Sequence, residues 1–266
     1  MGRSVSFYKY QGTGNDFVII DQLTHQIDFS RAEIAFMCDR RMGIGADGLM
    51  LMRPYDGYDF DMVYFNSDGN QSTMCGNGGR CISQLYFKLK GKNSASFMAI
   101  DGIHQSHLMD DGWVSLQMND VSEINLHSLG YFLDTGSPHL VIKQDDIDAI
   151  NVKAKGAEIR YGHDYNEDGI NVNFLQVQDD KIKVRTYERG VENETLSCGT
   201  GVTASAIVAS KIGGNNSQQS YTIDVKAPGG DLKVKFKNEG KLYRDIWLIG
   251  PAVEVFQGEI YLPERH

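Results

Sequence analysis

The sequence predicts an α+β protein made of two related halves, and three observations carry that expectation. Short runs rich in aromatic and β-branched residues, separated by turns, recur along most of the chain. Two longer apolar stretches read as helices. Each of these helices is preceded by the same short pattern, Cys75-Gly76-Asn77-Gly78 in one half and Cys198-Gly199-Thr200-Gly201 in the other. A Cys-Gly-x-Gly duplicated about half a chain apart points to two pseudo-symmetric domains, each presenting one thiol. The 266 residues suit two domains of roughly 100–150 residues each.

Taken in order, Ser4–Gly12, Asp16–Asp21, Asp47–Met52 and Tyr58–Phe65 read as strands, and Ser30–Asp39 as a short helix capped by Ser30. The first long helix runs from Asn77 to Lys90, with Cys81, Ile82, Leu85, Tyr86 and Leu89 on one face. Strands at Ser96–Asp101, His104–Met109 and Trp113–Met118 come next, the last two joined as a hairpin by Asp110-Asp111-Gly112. The polar stretch Asn119–Ser128 is the natural boundary. Beyond it, Gly130–Thr135, Pro138–Lys143, Asn171–Gln178 and Lys181–Glu188 are extended. The second long helix, Thr200 to Ser210, has almost no polar face and is expected to be buried. Tyr221–Ala227, Asp231–Phe236, Leu242–Ile249 and Ala252–Phe256 complete the strands.

A net charge of −9 argues against a nucleic-acid partner, whose phosphates need a basic surface. No stretch is long and apolar enough to read as a membrane span or a secretory leader, so a cytoplasmic protein is expected. The four cysteines have no C-x-x-C spacing, which disfavours a zinc site or a thioredoxin-type pair. Cys81 lies on the inward helical face and Cys38 has no helper pattern, so both read as packing residues.

Cys75 and Cys198 differ because each stands directly before a glycine-rich helix start. A helix N-terminus carries partial positive charge and unpaired N–H groups, and it favours a thiolate beside it. Glycines let the backbone approach a ligand. A substrate carboxylate can therefore sit on the N–H groups of Gly76 and Asn77 and of Gly199 and Thr200, where charge built up by loss of an α-proton would be stabilised. A thiolate and a thiol on opposite faces of an α-carbon suffice to invert it, without metal or cofactor.

Four segments resemble diaminopimelate epimerases. They are Gly12-Thr13-Gly14-Asn15-Asp16-Phe17, Gly43-Ile44-Gly45-Ala46-Asp47-Gly48, the stretch from Phe65-Asn66-Ser67-Asp68-Gly69 to Met74-Cys75-Gly76-Asn77-Gly78-Gly79-Arg80-Cys81, and the stretch from Tyr187-Glu188-Arg189-Gly190 to Cys198-Gly199-Thr200-Gly201. The resemblance implies two domains of β-sheets wrapped around a central helix, with the active site in the cleft between them. It implies a division into 1–120, joined by 251–266, and 121–250. It implies interconversion of L,L- and meso-diaminopimelate for lysine and peptidoglycan precursors, with no cofactor and no metal. Carried over by position, Cys75 and Cys198 are the catalytic pair and His139 and Glu188 support the thiols. Asn15, Asn66, Asn171, Glu188 and Arg189 bind substrate, and Gly76-Asn77 and Gly199-Thr200 cradle its carboxylate.

The chain departs from the family pattern twice. It has Ser137 where Gly-Asn-Pro-His is common, and the segment from Arg189 to Cys198 is one residue longer. A proline- or hydroxyproline-type racemase shares the two-cysteine design, but the Asn66, Asn171 and Arg189 set suits a substrate with a distal amino-acid group. A non-catalytic binding module would be expected to have lost a cysteine. A small-molecule substrate is the expected partner, and a homodimer is compatible with the sequence.

Overall fold

A computed structural model describes residues 3–214 and 219–263. The chain divides into two compact units, one of Met1–Leu116 with Pro251–His266 and one of Gln117–Gly250. In the first unit, β1 (Ser4–Gly12) and β2 (Asn15–Asp21) form an antiparallel hairpin. Its turn residues Thr13 and Gly14 have φ of 52° and 83°, the left-handed pair that a two-residue hairpin loop needs. Helix α1 (Arg31–Cys38) starts at Ser30 in a full capping box with Glu33, and leads to β3 (Gly48–Tyr55), parallel to β2. Strand β4 (Tyr58–Asn66) pairs antiparallel with β3. Helix α2 (Gly76–Lys90) then crosses over to β5 (Ser94–Ala99), parallel to β4, with β6 (Gly102–Leu108) and β7 (Val114–Gln117) added as antiparallel neighbours.

Phe17–Ile20 and Leu49–Met52 are buried without a break. The reason is that both sheet faces are covered. Val18, Ile20, Leu49 and Leu51 pack with Ile34 and Met37 of α1. Alternation turns Phe17, Ile19, Met50 and Met52 to the other face, where α2 packs against β1, β2, β3, β5 and β6. The sheet therefore wraps α2.

The second unit repeats this plan. Strand β8 (Asn125–Leu126) lies in the stretch read as a boundary and pairs with β9 (Tyr131–Asp134). Strand β10 (Pro138–Lys143) pairs antiparallel with β9. Helix α3 (Val152–Arg160) crosses over to β11 (Asn171–Val177), parallel to β10. Strand β12 (Ile182–Glu188) is antiparallel to β11 and carries the short β13 (Asn193–Thr195). Helix α4 (Gly199–Ile212) crosses over to β14 (Gln219–Ala227), parallel to β12, and β15 (Gly230–Asn238) and β16 (Tyr243–Gly250) complete the series antiparallel. The succession of antiparallel and parallel pairings from β9 to β16 matches that from β1 to β7, with β13 as an addition. The duplication read from two tetrapeptides thus extends to the whole topology. Last, β17 (Val253–Tyr261) returns to the first unit and pairs antiparallel with β1.

Helix α3 was not expected from sequence. Its first turn is capped by Asn151, and Val152 and Ile159 join Leu140, Ile142, Val172 and Phe174 in a core. Gly156 is what lets it dock: a Cβ there would lie 2.3 Å from Tyr187 Cβ and 2.4 Å from Cγ. Gly156→Ala should gain about 1 kcal/mol of helix propensity and lose more to overpacking. A net loss of about 2 kcal/mol is expected, read as a fall in the thermal midpoint of roughly 5 °C. An unchanged or raised midpoint would contradict this packing.

Candidate active site

In the first unit the site is built on the N-terminus of α2. Cys75 is the N-cap residue, with extended backbone and no side-chain capping bond. Its Sγ lies 3.7 Å from Asn15 Oδ1, and Asn77 Nδ2 donates to that same oxygen at 3.4 Å. Asn15 cannot turn its amide around. Its Nδ2 donates to Asp47 Oδ2 at 2.6 Å, and a carboxylate only accepts. Asp47 is held in turn by Arg40, which also makes two hydrogen bonds to Asp16. Lys9 completes the cluster with bonds to Asp16 and to the Gly45 carbonyl. Burial raises the Asp16 carboxyl, but hydrogen bonds from Arg40 and Lys9 outweigh it and hold it well below the usual range. Asn66, at the end of β4, is exposed.

Under the first turn of α2 lies Arg80, 0% exposed. Its Nη2 donates to Thr13 Oγ1 at 3.0 Å and Asn77 Oδ1 at 3.1 Å, and its Nη1 to the Gly76 carbonyl at 3.5 Å. Among the described residues it pairs with no carboxylate. Burial pushes the guanidinium down to about 10, so it stays charged at neutral pH. Arg80 belongs to the segment around Cys75, but its burial is not legible there. A cation in the second turn of a helix reads as a surface residue, and only the wrapped sheet makes it a buried one.

In the second unit, alternation explains the site. Leu140, Val172, Phe174 and Tyr187 face the α3 core, so His139, Asn171, Asn173, Thr186 and Glu188 turn toward α4. His139 is 0% exposed, and its Nε2 lies 2.9 Å from Thr200 Oγ1. Thr200 Oγ1 lies 3.4 Å from Cys198 Sγ, and its carbonyl accepts from Thr135 Oγ1 at 2.9 Å. Cys198 is the N-cap of α4, again without a side-chain capping bond, and is 8% exposed. Behind the ring, Asn173 Nδ2 lies 3.0 Å from His139 Nδ1, and Asn173 Oδ1 accepts from Thr186 Oγ1 at 2.9 Å. Gly201 makes room for this amide: a Cβ there would lie 2.3 Å from Asn173 Oδ1. Asn173 and Thr186 were missed in the sequence because polar residues at alternate strand positions read as a wet face.

Asn171 is a bracket. Its Nδ2 donates to Ser137 Oγ at 2.8 Å and the Pro138 carbonyl at 3.0 Å, and its Oδ1 accepts from the Arg189 backbone N–H at 2.9 Å. Ser137, the departure from the family pattern, is thus engaged by Asn171. Arg189 is exposed, with one guanidinium bond to the Asp168 carbonyl. Glu188 accepts from Thr195 Oγ1 at 2.9 Å. In the longer Arg189–Cys198 segment, Glu192 has φ of 56° and takes hydrogen bonds from the Gly190 N–H and Tyr187 Oη.

Cys38 and Cys81 are core residues, and burial pushes both thiols up to about 12. Among the described residues, no group of three or more His, Cys, Asp or Glu is placed to hold a metal ion. No helix of the described residues is long and apolar enough to cross a membrane.

Burial, and then the charge of Arg189, push His139 down to about 3. An unfolded histidine protonates near 6.5. The folded state therefore binds fewer protons below that value, and stability that is complete above pH 6.5 is lost as pH falls toward 3. The loss approaches about 1.4 kcal/mol per pH unit for one such site. Urea midpoints measured from pH 7 to pH 5 should fall less steeply in His139→Gln than in the wild type. Equal slopes would mean that the folded protein already charges this ring.

The chain matches the family described as diaminopimelate epimerase over residues 7–124 and 131–255. A diaminopimelate epimerase from Flavobacterium psychrophilum is 49% identical over 259 residues, covering 96% of this chain and 100% of that one. Another from Chlorobaculum tepidum is 37% identical over 265 residues, covering 94% of this chain and 99% of that one. Among solved structures, a phenazine biosynthesis protein of the PhzF family from Bacillus anthracis has a TM-score of 0.72 at 14% identity, covering 98% of this chain and 100% of that one. A hydroxyproline epimerase from Agrobacterium vitis has a TM-score of 0.68 at 12% identity, covering 99% and 95%. At such identities these two structures show the fold alone.

Proposed function

This chain belongs to the diaminopimelate epimerase family, and from that premise we propose that Cys75 and Cys198 are the acid and base of its reaction. The enzyme interconverts L,L- and meso-diaminopimelate, a step of lysine biosynthesis. The α-proton is a weak acid, so one thiolate must remove it while the negative charge spreads onto the neighbouring carboxylate. The other thiol then returns a proton to the opposite face. One C–H and one S–H bond break, one of each forms, and no group is oxidised. A carboxylate beside a helix N-terminus is stabilised as that charge grows.

The observation that carries the proposal is the paired placement of the cysteines. Each is the N-cap residue, without a side-chain capping bond, directly before the Gly-rich first turn of a wrapped helix at the same point of a duplicated topology. Arg189 and Asn171, bound to each other through the backbone, are the groups we assign to the distal amino-acid end. Asn15, Asn66 and Glu188 belong to the same substrate-binding set, with His139 and Glu188 supporting the thiols. The proton chemistry needs no cofactor and no metal, and a cytoplasmic setting suits thiols that must stay reduced. Val253, Val255, Phe256 and Tyr261 leave apolar side chains exposed along β17, and a homodimer formed through this strand is expected to show twice the chain mass in solution.

The test is turnover of L,L-diaminopimelate by the purified protein in deuterated water after exhaustive chelation. Early meso product should carry deuterium at the inverted carbon while remaining substrate stays unlabelled. Equal early labelling of both would indicate one shared base and sink the two-thiol assignment.

A further inference from the structure

The second unit contains a buried hydrogen-bond chain whose direction is fixed at one end. The Leu140 carbonyl can only accept, and it lies 3.3 Å from Asn173 Nδ2. The amide nitrogen of Asn173 therefore faces β10, and its oxygen takes the hydrogen bond from Thr186. That same nitrogen is 3.0 Å from His139 Nδ1, which must then offer a lone pair. A neutral ring with a lone pair on Nδ1 carries its proton on Nε2. Nε2 is 2.9 Å from Thr200 Oγ1, which accepts the hydrogen bond from this N–H and keeps its own hydrogen for another acceptor. Cys198 Sγ is 3.4 Å away.

We propose that Asn173 is a positioning residue that locks His139 as the Nε2–H tautomer and so aims the Thr200 hydroxyl hydrogen at Cys198, holding that sulfur as the thiolate in the substrate-free enzyme. The inference rests on the reading of Cys198 as an acid/base group. The opposite tautomer would bring two buried donors face to face at Nδ1. The ring is too deeply buried to escape by charging, and the charged group it feels, Arg189, disfavours protonation further. Space for the chain exists only because residue 201 has no side chain. The first unit is arranged the other way. There the carboxylate of Asp47 fixes Asn15 so that an oxygen faces Cys75, which suits a protonated thiol. The charged group behind Cys75 is Arg80, whose hydrogen bonds go to Thr13, Asn77 and the Gly76 carbonyl.

Two measurements on the substrate-free enzyme test this. In protein labelled with ¹⁵N-histidine, assigned with His139→Gln, the wild-type His139 ring should be the neutral Nε2–H tautomer from pH 5 to 9. An Nδ1–H tautomer or an imidazolium at pH 7 would overturn the proposal without any variant needing to fold. The second measurement is the pH dependence of Cys198 alkylation by iodoacetamide in a Cys75→Ala background. Thr200→Val and Asn173→Leu should raise the pH of half-maximal reaction by about one unit, a tenfold slower reaction near neutrality. Thr200→Ser should restore the wild-type profile. Unchanged profiles in folded Thr200→Val and Asn173→Leu would also overturn it. Neither readout depends on turnover, so this failure is distinct from that of the parent reading, which falls if Cys198→Ala remains active.

Discussion

Cys75→Ala and Cys198→Ala are each expected to lower kcat for the L,L-to-meso conversion by about a thousandfold or more. Positioned acid–base groups contribute roughly 10²- to 10⁴-fold each, and here the loss of one removes either the base or the returned proton. Nothing else on the first turn of either helix can substitute, because the neighbouring donors and acceptors are amides and a hydroxyl. Cys38→Ala and Cys81→Ala should keep kcat and lose about 1 kcal/mol of stability, the cost of a small buried void. Their thiols, pushed up to about 12, are also expected to resist alkylation. Steady-state assays of the four purified variants with L,L-diaminopimelate decide the matter. Turnover by either of the first two within tenfold of wild type would end the two-thiol mechanism.

Gly201→Ala should cost at least about a hundredfold in kcat with a folded protein, from a single added methyl group. That methyl would lie 2.3 Å from Asn173 Oδ1 and 3.3 Å from both His139 Cε1 and Thr186 Oγ1. The amide cannot yield without breaking its bonds to His139, Leu140 and Thr186. The first turn of α4 must yield instead, and Cys198 is the residue that caps it. Displacing a reacting group by about 1 Å costs on the order of 10²-fold. Circular dichroism would verify folding, and kcat and KM would be measured together. A variant that folds and keeps wild-type kcat would show that the Asn173 amide is free to move.

The parts of this protein that a sequence shows are those whose burial repeats with a simple period. Phe17–Ile20 and Leu49–Met52 read as strands because both faces of their sheet are covered, and α4 read as buried because no polar face remains. Helix α3 escaped because its buried face is only Val152, Gly156 and Ile159, of which Gly156 looks like a breaker, and Lys153, Lys155 and Glu158 are exposed. Its glycine answers to Tyr187, a neighbour on another element. The duplication could have found it, since α3 holds the place that α1 holds in the first half. At the site, the cysteines were legible from their repeated context. Asn173, Thr186 and the burial of Arg80 were not, because each depends on contacts with side chains distant in sequence.

Strand β17 has a consequence for how the chain is made. Its partner β1 is synthesised first, yet Ser4 pairs with Tyr261 and Val5 with Ile260. At ribosomal speeds, about 250 intervening residues take on the order of tens of seconds. Throughout that interval the outer edge of β1 stays open, an unprotected template for pairing with a neighbouring nascent chain. The residues of the second unit have all been synthesised before that edge is covered, so the middle of the polypeptide can be finished before its beginning.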